Sequence, residues 1–260
     1  MKPSAPTPVS RRIPGPAGKL AIDDGGSGDP VLFVHSLAGN TGHWAAQLEH
    51  LRTTRRAVAL DLRGHGRSEA PGIGDYAIEA QAADVAAAAA ALGLERFALV
   101  GHSMGSGVAL AYAGAHPERV THLLVADPIG DGTQTPEAEV RPFLEALDSP
   151  AYVGVIEGYW SSIAGSNGAV LERLLHDLRA TPRETIVRGL HAVMEFDPTP
   201  SLTRFRGPTL AVVTPANDYP YSMHRLGAGL PHLVVEGTGH WLQLDRPAEF
   251  NRILDRFLEE

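Results

Sequence analysis

The 260-residue chain contains no cysteine. That removes disulfides, thiolate nucleophiles and cysteine-bound metals from consideration, and leaves the compartment open. Positive charge is scarce and scattered. Lys and Arg number 22 against 30 Asp and Glu, the formal net charge is −8, and no basic run exceeds Arg55-Arg56. Nucleic acid and anionic membrane both call for a basic stripe, so neither is expected as a partner. No apolar run approaches the roughly 20 residues of a membrane-spanning helix. The 12 histidines include no H-E-x-x-H and no pair at metal-ligand spacing, so no metal is expected. Neither Gly64-His65-Gly66 nor Gly25-Gly26-Ser27-Gly28 supplies a G-x-G-x-x-G between strand and helix, and no cofactor is implied. Residues 1–17 carry Lys2, Arg11 and Arg12 among Pro3, Pro6, Pro8, Pro14 and Pro16, without the apolar core of a signal peptide. They read as a disordered leader on a cytoplasmic protein.

What is present is alternation. Apolar segments at 19–23, 31–34, 56–60, 96–100, 120–126, 209–213 and 232–235 read as strands. Helical stretches fall between them at 44–52, 76–92 and 106–113, and a closing helix spans 247–259. Six consecutive alanines, Ala86 to Ala91, suit a helix lying close on a sheet. Strands alternating with helices predict an α/β fold, a mostly parallel sheet with helices on both faces. Right-handed crossovers then gather the functional loops at the carboxyl ends of the strands. Residues 129–200 lose strand character and become short helical pieces separated by prolines. They are expected to form a helical lid over that edge, with 18–128 and 201–260 as the core.

The most informative stretch is Gly101-His102-Ser103-Met104-Gly105, caught between a strand and a helix. A turn this tight excludes large neighbours two places either side and pushes the serine hydroxyl out of the sheet, as a nucleophile requires. A serine hydroxyl is a weak nucleophile and needs a base, which in turn needs an orienting acid. His240, in Gly237-Thr238-Gly239-His240-Trp241, follows the last strand and so reaches the same edge as Ser103. Two carboxylates compete for the third place. Asp218 follows the strand at 209–213 and Asp127 follows the strand at 120–126, and both preserve the order serine, acid, histidine. Each also sits beside a proline segment where an Asp can simply cap a turn.

With 31–35 (Val-Leu-Phe-Val-His), Asp61-Leu62-Arg63-Gly64-His65-Gly66-Arg67-Ser68 and Pro117-Glu118-Arg119-Val120 added, the chain from about residue 18 resembles the α/β-hydrolase family. The resemblance implies an α/β-hydrolase fold with a helical lid insertion and a triad of Ser103, His240 and Asp218. Asp218 is preferred because the family acid usually follows the penultimate strand, although Pro215 stands where a glycine is usual; a minority of members place the acid where Asp127 lies. The resemblance also points to an oxyanion hole built from the N–H groups of Leu37 and Met104. His35-Ser36 departs from the frequent His-Gly, and Ser-Leu at this place resembles the enol-lactone hydrolase branch. His35, His65 and His102 are read as loop-ordering residues. Ser36, Tyr159, Trp160 and Trp241 are candidate substrate-binding residues, and Phe143, Tyr152, Met194 and Phe196 are further candidate pocket walls. The implied activity is hydrolysis of a small carboxylic ester or lactone through an acyl-enzyme. The same triad serves carbon–carbon bond hydrolysis and cofactor-free perhydrolysis, and the same fold serves non-catalytic small-molecule receptors. Dehalogenases and epoxide hydrolases of this fold use an aspartate at the elbow, which Ser103 argues against.

Overall fold

A computed structural model describes residues 9–72, 74–226 and 230–259. An antiparallel hairpin, β1 (Val9–Gly15) and β2 (Gly18–Gly26), begins the sheet. Next come β3 (Pro30–Val34), a short 3-10 turn at Thr41–Trp44 running into α1 (Ala45–Leu51), and β4 (Arg56–Leu60). After α2 (Ile78–Leu92), β5 (Phe97–His102), α3 (Met104–Ala115) and β6 (Val120–Ala126) follow directly. Among the described residues eight strands form one sheet, ordered β1-β2-β4-β3-β5-β6-β7-β8, where β7 is Thr209–Val213 and β8 is His232–Val234. From β4 to β8 every neighbouring pair is parallel. The mostly parallel sheet anticipated from the alternation is present, and the fold is the α/β-hydrolase fold that the family resemblance implied.

The central strands are apolar throughout because both faces are covered. On β3, Leu32 and Val34 face α2 and α3, while Val31 and Phe33 face Trp44, α1 and the closing helix α11 (Pro247–Leu258). In α2, Ala88 and Ala89 are fully buried in the core that this helix shares with α3. Small side chains there let the two helices lie close together.

Between β6 and β7 the chain forms α4 (Glu137–Leu147), α5 (Tyr152–Ile163), α6 (Gly168–Ala180), α7 (Arg183–Glu195) and α8 (Thr199–Arg204). Helix α4 packs on α5 and α7, α6 packs on α5, and α7 and α8 both reach α3. The insertion is pinned at several points. His43 Nε2 meets Asp177 Oδ2 at 3.0 Å, Tyr76 and Thr185 share a hydroxyl hydrogen bond of 2.9 Å, and the His240 N–H donates to the Ile163 carbonyl at 2.8 Å. Among the described residues after β7 come a 3-10 turn at Pro215–Asn217, the single-turn helices α9 (Met223–Leu226) and α10 (Leu242–Asp245), and the longer α11.

The amino-terminal expectation needs correction. Residues 9–15 belong to the sheet as β1, in register with β2 from Val9↔Asp24 to Gly15↔Gly18. Residues 1–8 of the expected leader lie outside the described residues. The strand escaped notice because only Ile13 of β1 is buried, so the segment has no apolar alternation to read.

Candidate active site

Ser103 closes the turn between β5 and α3 with φ 52° and ψ −121°, a backbone region strongly disfavoured for residues with a side chain. Its neighbours explain why the turn is possible. A Cβ on Gly101 would strike the Gly105 carbonyl, and a Cβ on Gly105 would strike the carbonyls of Val34 and His35. The Ser103 N–H donates to the Ala126 carbonyl at 3.0 Å, and the Asp127 N–H donates to the Val212 carbonyl at 2.7 Å. The ends of β5, β6 and β7 are thereby laced together, and the loops that leave them start from fixed points.

The carboxylate on His240 is Asp127. Its Oδ2 lies 2.5 Å from His240 Nδ1, while its Oδ1 accepts from the Thr214 N–H at 2.7 Å and from the Thr214 hydroxyl at 3.0 Å. Burial pushes the Asp127 carboxyl up, but the hydrogen bond and charge of His240, together with the Thr214 N–H, outweigh it and hold the pKa below the ordinary value. The acid side chain is 3% exposed and the His240 side chain 20%, so the imidazole screens the carboxylate and itself remains reachable.

Asp218, preferred from the sequence, is therefore not the carboxylate on His240. It ends the turn at Pro215–Asn217, is half exposed, and binds Arg225 through both oxygens, one contact at 2.6 Å. The Arg225 guanidinium draws its pKa down. The residue that follows β7 and turns toward the site is Thr214, which has no acid to offer but braces the acid supplied by β6.

His102 underlies this arrangement. Its ring is fully buried 4.8 Å from that of His240, its Nε2 lies 2.8 Å from the His240 carbonyl oxygen, and Gln243 Nε2 donates to Nδ1 at 3.3 Å. With Nδ1 accepting, the hydrogen sits on Nε2 and is donated to that carbonyl. Burial keeps His102 neutral by lowering its pKa far below that of free imidazole. His35 and His65 are buried in the same way, both pushed down to about 3.

Ser103 and His240 open onto one cavity of about 240 Å3 beneath α5 and α7. Its walls include Leu37, Met104, Ile129, Ile163, Leu190 and Val193, and the indoles of Trp160 and Trp241. Ser36, Tyr159, Trp160 and Trp241 all reach the cavity, as does Met194. Ser36 offers less than expected, because its Oγ is engaged by Trp241 Nε1–H at 3.1 Å. The ring of Phe143 packs on Tyr159 at 5.2 Å, Tyr152 lies under the Arg183 guanidinium at 4.8 Å, and Phe196 is buried beside Gly107. These three belong to the packing of the lid.

The sequence reading overlooked the opposite wall, where Asp131, Asn217, Tyr219 and Tyr221 line the cavity. The only signal for them was their place on loops that leave β6 and β7 at the functional edge. Burial and the nearby Asp127 charge push the Tyr219 hydroxyl up to about 12, so that wall stays uncharged there. Asp131 spends its oxygens on Thr133 and Gln134. Met104 opens α3, so its N–H precedes the first intrahelical bond. No acceptor among the described residues takes the Leu37 N–H.

Residues 29–148 match the family model described as alpha/beta hydrolase fold. A RutD protein of Caulobacter sp. (strain K31), whose name proposes carbamate hydrolysis, is 30% identical over 88% of this chain and 90% of its own length. The dihydrolipoyllysine-residue acetyltransferase component of the acetoin cleaving system of Cupriavidus necator is 28% identical over 90% of this chain. The chain spans only 64% of that component's length. Among solved structures, Est816, titled an N-acyl homoserine lactone degrading enzyme, superposes with a TM-score of 0.83 at 26% identity, covering 95% of this chain and 100% of its own.

Proposed function

We infer that this chain, which belongs to the α/β-hydrolase family, is a serine hydrolase acting on a small, largely uncharged carboxylic ester or lactone. The observation that carries the reading is the 2.5 Å bond between Asp127 and His240, at the mouth of the apolar cavity onto which strained Ser103 also opens. In this reading Ser103 attacks the carbonyl carbon while His240 takes its proton through Nε2, the ring nitrogen not bonded to Asp127. Asp127 holds the tautomer and stabilises the imidazolium. The N–H groups of Leu37 and Met104 receive the developing oxyanion, which in related chemistry is worth about 3 kcal/mol for one donor. His240 then gives its proton to the leaving oxygen, and the same base activates water against the acyl-enzyme.

The cavity supports the substrate class. It is small, lined chiefly by apolar side chains, and burial raises the pKa of Tyr159 and Tyr219 so that both stay protonated; a compact acyl group therefore fits better than a long or charged one. The Est816 likeness favours lactones within that class. A second reading, hydrolysis of a small carbamate, has the RutD relatives in its favour and uses the same residues.

A fluorophosphonate probe should label Ser103 once per chain in the native protein. A screen of short-chain p-nitrophenyl esters, lactones and carbamates should show turnover that falls by at least about three orders of magnitude in Ser103→Ala. Labelling elsewhere, or turnover that survives this substitution, would remove the serine-hydrolase reading; specific binding without turnover would leave a receptor on this fold.

A further inference from the structure

The loop after β3 begins with a peptide whose orientation matters to the reaction. The Ser36 carbonyl faces two donors. His35 Nδ1 lies 2.7 Å from it, and the Gly39 N–H donates to it at 2.9 Å. The tautomer of His35 follows from its other nitrogen. Nε2 accepts from the Leu62 N–H at 3.0 Å, so the ring hydrogen is on Nδ1 and is donated to Ser36. Full burial among β3, the Leu62 loop and the His65 ring, 5.0 Å away, leaves this side chain one rotamer and one protonation state.

The Ser36–Leu37 peptide is trans, and a planar trans peptide points its carbonyl and the next N–H in opposite directions. A carbonyl held inward by His35 and Gly39 therefore turns the Leu37 N–H outward. Ser36 and Leu37 line the cavity beside Ser103, so outward here is the side on which an oxyanion bonded to Ser103 would form. The remainder of the loop resists rotation. Ala38 sits at φ 55°, and a Cβ on Gly39 would crowd the Ser36 carbonyl and the His43 ring.

We propose that His35 is a positioning residue of the oxyanion hole, which fixes the direction of the Leu37 N–H by gripping the Ser36 carbonyl from behind. The proposal rests on the serine-hydrolase reading above. Without the grip the peptide plane can turn, withdrawing a donor from the oxyanion and bringing a carbonyl oxygen toward it. One rotation converts attraction into repulsion. Two side chains separate the two ends of the imidazole. An asparagine amide reaches to about the Nδ1 position and keeps the donor, whereas a glutamine reaches to the Nε2 position and keeps only the bridge to Leu62.

The test compares His35→Asn and His35→Gln with the unaltered protein on one ester. His35→Gln should lose about a hundredfold in kcat with KM within about threefold, the signature of a donor used only in the transition state. A trifluoromethyl ketone, which forms a tetrahedral oxyanion on Ser103, should lose affinity by a similar factor, while the product acid binds as before. His35→Asn should stay within about tenfold of the unaltered protein on both measures. A crystal structure of His35→Gln should show the Ser36 carbonyl turned toward the cavity.

Equal losses in the two variants, or a full kcat in His35→Gln, would overturn the assignment. If His35→Gln does not fold, a folded His35→Asn that has lost more than about fiftyfold overturns it as well. Failure of the underlying reading looks different: the unaltered protein itself would neither turn over esters nor take the phosphonate label.

Discussion

At Asp127 and Asp218 two aspartates of equal standing in the sequence have opposite surroundings. Both follow a parallel strand at the functional edge, Asp127 directly after β6 and Asp218 after the turn beyond β7, and both precede His240. What separates them is their partners: two donors from Thr214, 87 positions away, converge on Asp127, and Arg225, seven positions away, occupies Asp218. Ser103 and His240 could be picked out from their places at strand ends, but the carboxylate that meets His240 could not, because the Thr214 donors that hold it are so distant along the chain. Asp127→Asn keeps the shape but cannot hold the needed tautomer, so kcat should fall by roughly 10⁴ in a folded protein. Asp218→Asn removes an exposed ion pair with Arg225, whose contribution is small, and a 3.6 Å contact with His224, so it should keep activity and melting temperature close to those of the unaltered protein. Steady-state kinetics on the two variants, each checked by circular dichroism, decide the matter; the reverse ranking would return the acid to Asp218.

Among the elements, the lid and the loop bearing His240 meet backbone to backbone. The His240 N–H donates to the Ile163 carbonyl, and a Cβ on Gly239 would collide with the backbone of Ala164 and Gly165. The end of α5 therefore fixes the backbone that carries His240 besides lining the cavity. Gly239→Ala should cost at least about tenfold in kcat/KM, because one methyl forces either the α5 terminus or the imidazole from its place. The check pairs that rate with the melting temperature, and an unchanged rate would mean that the lid yields freely. The helical insertion was readable in outline from 129–200, where strand pattern gives way to short proline-separated helices. Its sequence does not reveal which glycine touches which, since that closeness joins residues some seventy positions apart. β1 stayed hidden for a simpler reason: an edge strand with one buried residue has too little apolar signal.

Across the whole molecule, a layer of buried neutral imidazoles links solution pH to folding. His35 and His65 have pKa values near 3 when folded, chiefly through burial, against an ordinary value of 6.5, and His102 is lowered in the same direction. Between those limits the unfolded chain binds protons that the folded one refuses, so stability is complete above about pH 6.5 and falls as pH drops toward 3. From His35 and His65 together the loss between pH 7.5 and pH 5 should be roughly 4 kcal/mol. Urea unfolding at the two values measures it, and a flat response would mean that these rings admit protons in the native state. The sheet and its order of catalytic loops followed from the alternation of segments along the sequence. The histidine layer did not, because twelve histidines look alike until burial sorts them.

The backbone at Ser103 has a consequence for how this protein can be improved. A residue held at φ 52°, ψ −121° stores on the order of 1–3 kcal/mol that the rest of the fold must offset. Glycine adopts that conformation freely, so Ser103→Gly should melt several degrees higher than the unaltered protein while losing its reaction altogether. Selection for thermal endurance alone would therefore drift toward an inert protein. A library screened by heat has to be screened by turnover in the same round.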